Sequence, residues 1–177
     1  MKKSKGFTLI EMLVVVSLIG ILSGIALNVI NIKKVQQRSR DSRRIGDVKR
    51  VQTALELYFA DNRAYPVSLS WVNINSADNA VKTGLTTSPN IYIDTLPTDP
   101  LDGKTSSEDV MTCHGIKIHG YYYISNDTGG KYVLNTVMET TENADDSLCS
   151  SLTNCQSGSG INCGTVAAYC YCVQNPM

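Results

Sequence analysis

The strongest feature of the hydrophobic pattern is one apolar run near the N-terminus. From Met12 to Ile32 there are 21 residues without a charged side chain, most of them Leu, Val and Ile. At 1.5 Å rise per residue, a helix of that length covers roughly 31 Å, which is about one bilayer core. The run therefore predicts a transmembrane helix over residues 7–32.

Beyond this run the pattern becomes that of an amphipathic helix over residues 33–61. Its apolar positions recur at intervals of three, four and seven, so they form a stripe that is expected to pack on a globular head. The prediction is one continuous helix over residues 7–61, which ends at Asp61-Asn62 before Pro66. The stripe consists of Ile45, Val48, Val51, Gln52, Leu55, Tyr58 and Phe59. The residues predicted to fall largely elsewhere around the helix are Arg43, Arg44, Lys49, Arg50 and Glu56.

Residues 62–177 predict a small β-rich head. Residues 120–125 and 131–139 are β-branched and aromatic, and the Asn-Asp-Thr-Gly-Gly segment between them predicts a hairpin loop. A third strand is expected within residues 165–173, whereas residues 66–110 and 140–164 read as loops, the first with short elements. The fold class is therefore α+β: a long N-terminal helix packed on a small antiparallel sheet, with a disulfide-rich C-terminal region.

The cysteines indicate an oxidising compartment. Five of the six lie in the last 29 residues, and an even number clustered in a loop-rich region is typical of a disulfide framework. Six cysteines allow 15 full pairings, among which the sequence does not choose. A zinc site using Cys113, His114 and His119 is the weaker alternative, because that spacing fits no strong ligand pattern. The disulfide candidates are Cys113, Cys149, Cys155, Cys163, Cys170 and Cys172.

Charge is distributed unevenly along a chain whose formal net charge is zero. Residues 33–50 hold eight Lys and Arg against two acids, a net of +6, whereas residues 51–177 hold five basic and thirteen acidic residues, a net of −8. An acidic head argues against nucleic acid as its partner, because nucleic-acid-binding domains are basic. Contacts between unlike surfaces of neighbouring copies fit this distribution better.

The residues in front of the apolar run carry a recognisable junction. Lys2, Lys3 and Lys5 precede Gly6-Phe7-Thr8-Leu9-Ile10-Glu11. This pattern closely resembles the processing site of type IV prepilins and type II secretion pseudopilins. The resemblance implies that a prepilin peptidase removes residues 1–6 as a leader, that the new N-terminus at Phe7 is methylated, and that Glu11 acts in assembly.

The same resemblance implies a structural filament subunit and not an enzyme. The expected partners are other copies of the chain in a helical filament, the prepilin peptidase and methyltransferase, an inner-membrane assembly platform, and membrane lipid before assembly. The expected location is the cytoplasmic (inner) membrane as a single-pass protein with its head outside, and then an extracytoplasmic filament. The domains would be residues 1–6, 7–32, 33–61 and 62–177.

Several readings stay open. Leu96-Pro-Thr-Asp-Pro100 resembles a turn of the major pseudopilins, whereas the C-terminal cysteine cluster favours a type IV or competence pilin. The rival from another class is a membrane-anchored extracytoplasmic binding or adhesion module; a minor pilin of a DNA-uptake pilus is a further alternative.

Two smaller expectations concern packing and metal. Gly20 and Gly24 form a G-x-x-x-G pattern that lets membrane helices approach closely. No cofactor is expected, apart from calcium on loop carboxylates. The calcium candidates are Asp99 and Asp102, or Glu142, Asp145 and Asp146.

Overall fold

The computed structural model describes residues 6–29, 31–77, 79–87, 89–106, 113–156, 158–165 and 168–176, and the side chains of residues 25–29 are not among the described groups. The chain divides into two compact units, Met1–Gln36 and Gln37–Met177. Most of the expected leader, residues 1–5, lies outside the described residues, as does part of the third expected strand, residues 166–167.

The first unit contains helix α1, Leu9–Val29. Every α1 side chain from residue 9 to residue 24 is exposed, although most of them are apolar. Within the part of the chain that the structure describes, no helix combines the length and the apolar character needed to cross a membrane.

Two helices take the place of the single helix predicted over residues 7–61. Helix α2 spans Ile32–Asn62, and Asn31 lies outside both helices. The Asn31 side chain explains where α2 begins, because its Oδ1 accepts a hydrogen bond from the Lys34 amide at 3.2 Å. Asparagine is a favoured N-cap, since it satisfies an amide that has no partner within the helix. At the other end, Arg63 and not Asn62 takes the left-handed conformation, with φ of 58°.

The second unit is built on an antiparallel sheet of four strands in the order β1-β2-β3-β4. Tyr123 pairs with Leu134 in the β2–β3 hairpin, which confirms that part of the prediction. In the hairpin loop, Gly129 has φ of 65°, and a Cβ there would lie 2.5 Å from the Tyr65 carbonyl oxygen, so only glycine fits. The strands are β1 Val72–Asn73, β2 Tyr121–Ser125, β3 Tyr132–Val137 and β4 Cys170–Gln174.

Two short helices and a 3-10 turn lie within the two segments predicted as loops, the first of which was expected to contain short elements. Helix α3 spans Ala80–Thr86 and begins at Asn79, whose side chain accepts from the Lys82 amide. Helix α4 spans Asp146–Ser151 and is capped in the same way by Asp145. The 3-10 turn covers Thr153–Cys155. The helices are too short to show a sustained apolar period, so their caps are the only local signals.

The sheet separates two cores of different composition. Strand side chains alternate between the faces, so Tyr132 and Leu134 of β3 face α2, whereas Val133 and Val137 face the opposite side. The α2 side is aliphatic and tyrosine-rich, and α2 contributes to it Val48, Val51, Ala54 and Leu55. The opposite side is built around the cysteines, together with Ile124, Leu152 and Ile161.

Candidate functional site

The start of α1 brings together two polar side chains of the predicted junction. The Thr8 amide donates to Glu11 Oε2 at 2.8 Å, and the Thr8 hydroxyl donates to the same oxygen at 2.7 Å. In return, the Glu11 amide donates to the Thr8 hydroxyl oxygen at 3.3 Å. This reciprocal arrangement is a capping box, in which Thr at the N-cap and Glu three residues later satisfy otherwise unpaired amides. Glu11 therefore has a local structural partner within its own chain.

Around this cap, α1 presents a continuous apolar surface. Phe7 is 79% exposed and Leu9 is 83% exposed, so the described part of the first unit leaves these large side chains in solvent. A methyl group added at Gly20 or Gly24 would meet no atom within 4 Å. An exposed apolar surface of this extent marks an interaction site. Glu11 lies near one end of it, one turn from Phe7.

The second unit contains a buried ion cluster centred on Arg44, which is 0% exposed. Its Nε and Nη2 donate to the two carboxylate oxygens of Asp99 at 2.6 and 2.9 Å. Its Nη1 donates to Asp41 at 2.7 Å and to Glu139 at 2.8 Å. Arg40 donates to both Glu139 oxygens. The cluster joins α2 to the Asp99 turn and to the segment after β3.

Each carboxylate of the ion cluster has several donors. Asp41 also accepts from the amides of Glu139 and Thr140, each at 2.9 Å, and from the Thr140 hydroxyl at 2.7 Å. Burial raises the pKa of Glu139, but the bonds from Arg40 and Arg44 outweigh it and hold that pKa below its ordinary value. Burial alone would lower the pKa of Arg44, yet its partners, Asp99 first, raise it, so the guanidinium stays charged.

The ion cluster shows that the predicted position of Arg44 was wrong, and it also involves one of the predicted calcium ligands. Arg44 was expected to lie largely away from the buried stripe, but it precedes Val48 by four residues and Val51 by seven, which places it on that stripe. The helical spacing of Arg44 relative to these two valines is the sequence signal for its burial. Asp99, a calcium candidate, binds Arg44 with both of its oxygens.

The remaining calcium candidates do not converge around one point. Asp102 accepts from the side-chain amide of Asn73, Glu142 pairs with Arg38, and the other two carboxylates accept hydrogen bonds near α4. Asp145 caps α4, and Asp146 accepts from the Cys170 amide at 2.6 Å. Calcium binding at these residues stays a prediction.

All six cysteines form disulfides, as expected. The pairs join Cys113 to Cys170, Cys149 to Cys172, and Cys155 to Cys163. The side chains of Cys170 and Cys172 lie on the same face of β4, and both are fully buried. Two of the bonds thus fix β4 to other segments.

His114 and Trp71 lie beside these disulfides. The two rings stack with centroids 5.2 Å apart, and Trp71 Nε1 donates to the Cys163 carbonyl at 3.1 Å. Burial lowers the pKa of His114, so the imidazole is neutral at pH 7. Sequence reasoning placed neither ring here, since they are 43 residues apart and no local motif joins them.

Comparison with known proteins gives results that match the N-terminal observations. Residues 1–27 match the family model of the prokaryotic N-terminal methylation motif. The chain is 40% identical over 63 residues to the type IV major pilin protein PilA of Myxococcus xanthus, covering 36% of this chain and 28% of the pilin. No solved structure matches the chain.

Two further relatives belong to type II secretion. The chain is 34% identical over 68 residues to the type II secretion system core protein G of Vibrio cholerae, covering 38% of this chain and 45% of that protein. It is 28% identical over 99 residues to the Escherichia coli core protein G, covering 55% and 67%. The motif and both groups of relatives agree, and over part of its length the chain is similar to type IV pilins and to type II secretion pseudopilins.

Proposed function

We propose that the chain is a structural subunit of a helical filament of the pilus or pseudopilus type, and not an enzyme. One observation carries the proposal: an exposed apolar helix begins directly after a Gly6-Phe7 junction, within residues that match the methylation motif. Cleavage after Gly6 would make Phe7 the first residue, and α1 would then become the assembly helix.

Membrane insertion before assembly is part of the same proposal. The uncharged run Met12–Ile32 is 21 residues long, which in helical form matches a bilayer core. The three disulfides of the second unit support a location of the head outside the cytoplasm, because such bonds persist in oxidising compartments. Together they support a single-pass protein with its head outside.

Among filament types we favour the pseudopilin branch. The similarity to the E. coli core protein G extends over 99 residues, which is more than the helices up to Asn62 can supply, so it includes part of the head. The similarity to the M. xanthus pilin covers 63 residues. The Asp99 turn, which resembles that of major pseudopilins, is also the point at which the head binds Arg44. A type IV pilus subunit is the second candidate.

The experiment that tests this function is the mass of the assembled protein. In cells that contain a prepilin peptidase and its assembly machinery, filament-derived protein should lack residues 1–6 and carry one added methyl group at Phe7. Gly6→Val is the matched control, because a bulky side chain before the scissile bond should leave the chain uncut and outside filaments. Full-length, unmethylated protein in filaments would contradict the proposal.

A further inference from the structure

Four of the cysteine sulfurs form one compact buried group. The Sγ atoms of Cys113, Cys149, Cys170 and Cys172 all lie within 4.8 Å of one another. These residues are at most 1% exposed. They come from three segments: the stretch before β2, helix α4, and strand β4. The disulfide between Cys155 and Cys163 is not part of this four-sulfur group.

The spacing of the group suits a tetrahedral metal ion. Zn²⁺ binds thiolates at about 2.3 Å, so the sulfurs of a tetrahedral site lie about 3.8 Å apart. Cys113 Sγ and Cys172 Sγ, which are not bonded to each other, are already 3.8 Å apart. After reduction, the two sulfurs of each former disulfide would have to move apart to about 3.8 Å.

Two buried polar side chains near the group lack the partners that burial requires. Asn135 is 0% exposed, and neither its Nδ2 nor its Oδ1 has a hydrogen-bond partner. It pairs directly across the ladder with Cys172, so the two side chains share one face of the sheet. His114 Nδ1 is unpaired as well, and its Nε2 lies 3.6 Å from Cys172 Sγ.

These unpaired groups are more consistent with thiolates than with disulfides. A disulfide sulfur accepts hydrogen bonds weakly, whereas a thiolate carries a negative charge and accepts them strongly. Metal-bound ligands are commonly held by such donors from the surrounding side chains. Thiolates opposite Asn135 would give this buried amide an acceptor that the disulfides do not provide.

A cavity borders the group at Cys149. Its volume is about 280 Å³, and Cys149 and His114 are both part of its wall. Cys149 is the one residue of the four that lines this cavity, so an ion or a small reductant in the cavity would meet Cys149 first. The other lining residues are Ser150, Cys155, Gly164 and Thr165.

We propose that the four-sulfur group binds one Zn²⁺ when its two disulfides are reduced. Two equivalents of a dithiol reductant open the two disulfides and are themselves oxidised to disulfides, which leaves four thiols. Zn²⁺ then forms four Zn–S bonds as the thiol protons pass to solvent, and the ion itself undergoes no redox change.

The test measures zinc on the full-length chain in detergent. One sample is reduced with excess dithiothreitol and freed of it anaerobically, and the other stays oxidised; both receive Zn²⁺ and are dialysed. Mass spectrometry of the metal should find about one zinc per reduced chain and none per oxidised chain. Trp71, the single tryptophan, stacks on His114, so its emission should change as zinc is added to the reduced chain.

Three variants distinguish zinc bound by the four-sulfur group from zinc bound elsewhere on the reduced chain. Cys113→Ser with Cys170→Ser should lose the ion, whereas Cys155→Ser with Cys163→Ser should keep it. Asn135→Val leaves every ligand in place and should weaken zinc affinity by about tenfold or more.

Zinc on the oxidised chain, no zinc on the reduced chain, or equal loss in both cysteine variants would overturn the proposal. Unchanged zinc affinity in Asn135→Val would overturn the role of the amide.

Discussion

Apolar side chains are usually buried and charged ones exposed, but α1 and α2 each depart from this rule. Helix α1 exposes apolar side chains, whereas α2 buries a charged one. In α1, Leu9 is 83% exposed, and in α2, Arg44 is 0% exposed. No part of the described chain covers the exposed leucine, so another molecule is needed to bury it. The buried arginine has all of its partners within the chain, in Asp41, Asp99 and Glu139. Side chains such as Leu9, which other copies would have to bury, are therefore expected to affect assembly. Side chains such as Arg44, which are buried within the chain, are expected to affect the stability of the head.

This comparison separates the effects of substitutions. Changes in the second unit should alter the free energy of unfolding of the head and leave cleavage at Gly6 unaffected. Changes in the first unit should alter filament formation and leave the head's melting curve unaffected. A substitution in one unit that changed both the head's free energy of unfolding and filament formation would contradict this division.

The largest effect is expected from Arg44→Met. The substitution leaves three carboxylates at a buried site without their shared cation, and loss of one partner of a buried ion pair typically costs about 3–5 kcal/mol. Arg43→Met is the matched control: its side chain is 60% exposed, so its effect should stay within about 0.5 kcal/mol. Chemical denaturation of both variants measures the difference. Equal losses would contradict the account of the ion cluster.

The disulfides should differ in their contributions according to loop length. Cys113 and Cys170 are 57 residues apart, and the loop-entropy relation gives about 4 kcal/mol for closing such a loop. Cys155 and Cys163 are 8 residues apart, for which the same relation gives about 2.5 kcal/mol. Replacing each pair with serine and comparing midpoints of denaturation checks this order. A larger loss from the shorter loop would show that loop entropy does not govern these bonds.

A smaller effect is expected from acid. Burial lowers the pKa of both His114 and His119, so below about pH 6.5 the unfolded chain takes up protons that the folded chain resists. Stability should therefore fall as pH drops below about 6.5. Glu139, whose pKa is held low, should add a second loss only below about pH 4.3, as pH falls toward its folded-state pKa.

Replacing both histidines with glutamine checks the assignment of these pH ranges. The double variant should lose the upper step in a plot of unfolding free energy against pH and keep the lower one. If the loss of stability below about pH 6.5 persisted in the double variant, titratable groups other than His114 and His119 would be its cause.

The sequence predicts features that depend on neighbouring residues. The β2–β3 hairpin follows from its turn residues, and the paired burial of Cys170 and Cys172 follows from alternation along β4. Asn31 carries a local signal for a boundary inside the single helix predicted over residues 7–61, because asparagine is a favoured capping residue, and it caps α2 in the structure.

What the sequence could not predict depends on contacts between distant segments. Arg44 meets Asp99 across 55 residues and Glu139 across 95, so no local pattern indicates which carboxylates neutralise its buried charge. The disulfide pairing likewise depends on which segments the fold brings together. Helix α3 was missed for a different reason: seven residues are too few for a sustained apolar period.

The most direct test of the assembly account separates the two roles that the structure allows for Glu11. Its carboxylate completes a capping box with Thr8, and it also lies within the exposed apolar surface of α1. In a low-dielectric filament core, that charge could pair with the Phe7 amine of another copy, and an unpaired buried charge is strongly unfavourable. Glu11→Gln removes the charge but keeps a side chain that can complete the box, whereas Thr8→Ala removes the hydroxyl and keeps the charge.

The measurement is the amount of filament formed by each variant as the sole copy in the cell, compared at equal cleavage after Gly6. The account predicts that Glu11→Gln abolishes filaments, that Thr8→Ala still forms them, and that the head melts as in the unsubstituted chain in both. Normal filaments from Glu11→Gln would contradict a role for its charge in assembly. If only Thr8→Ala lost its filaments, the capping box would be required for assembly and the charge of Glu11 would not.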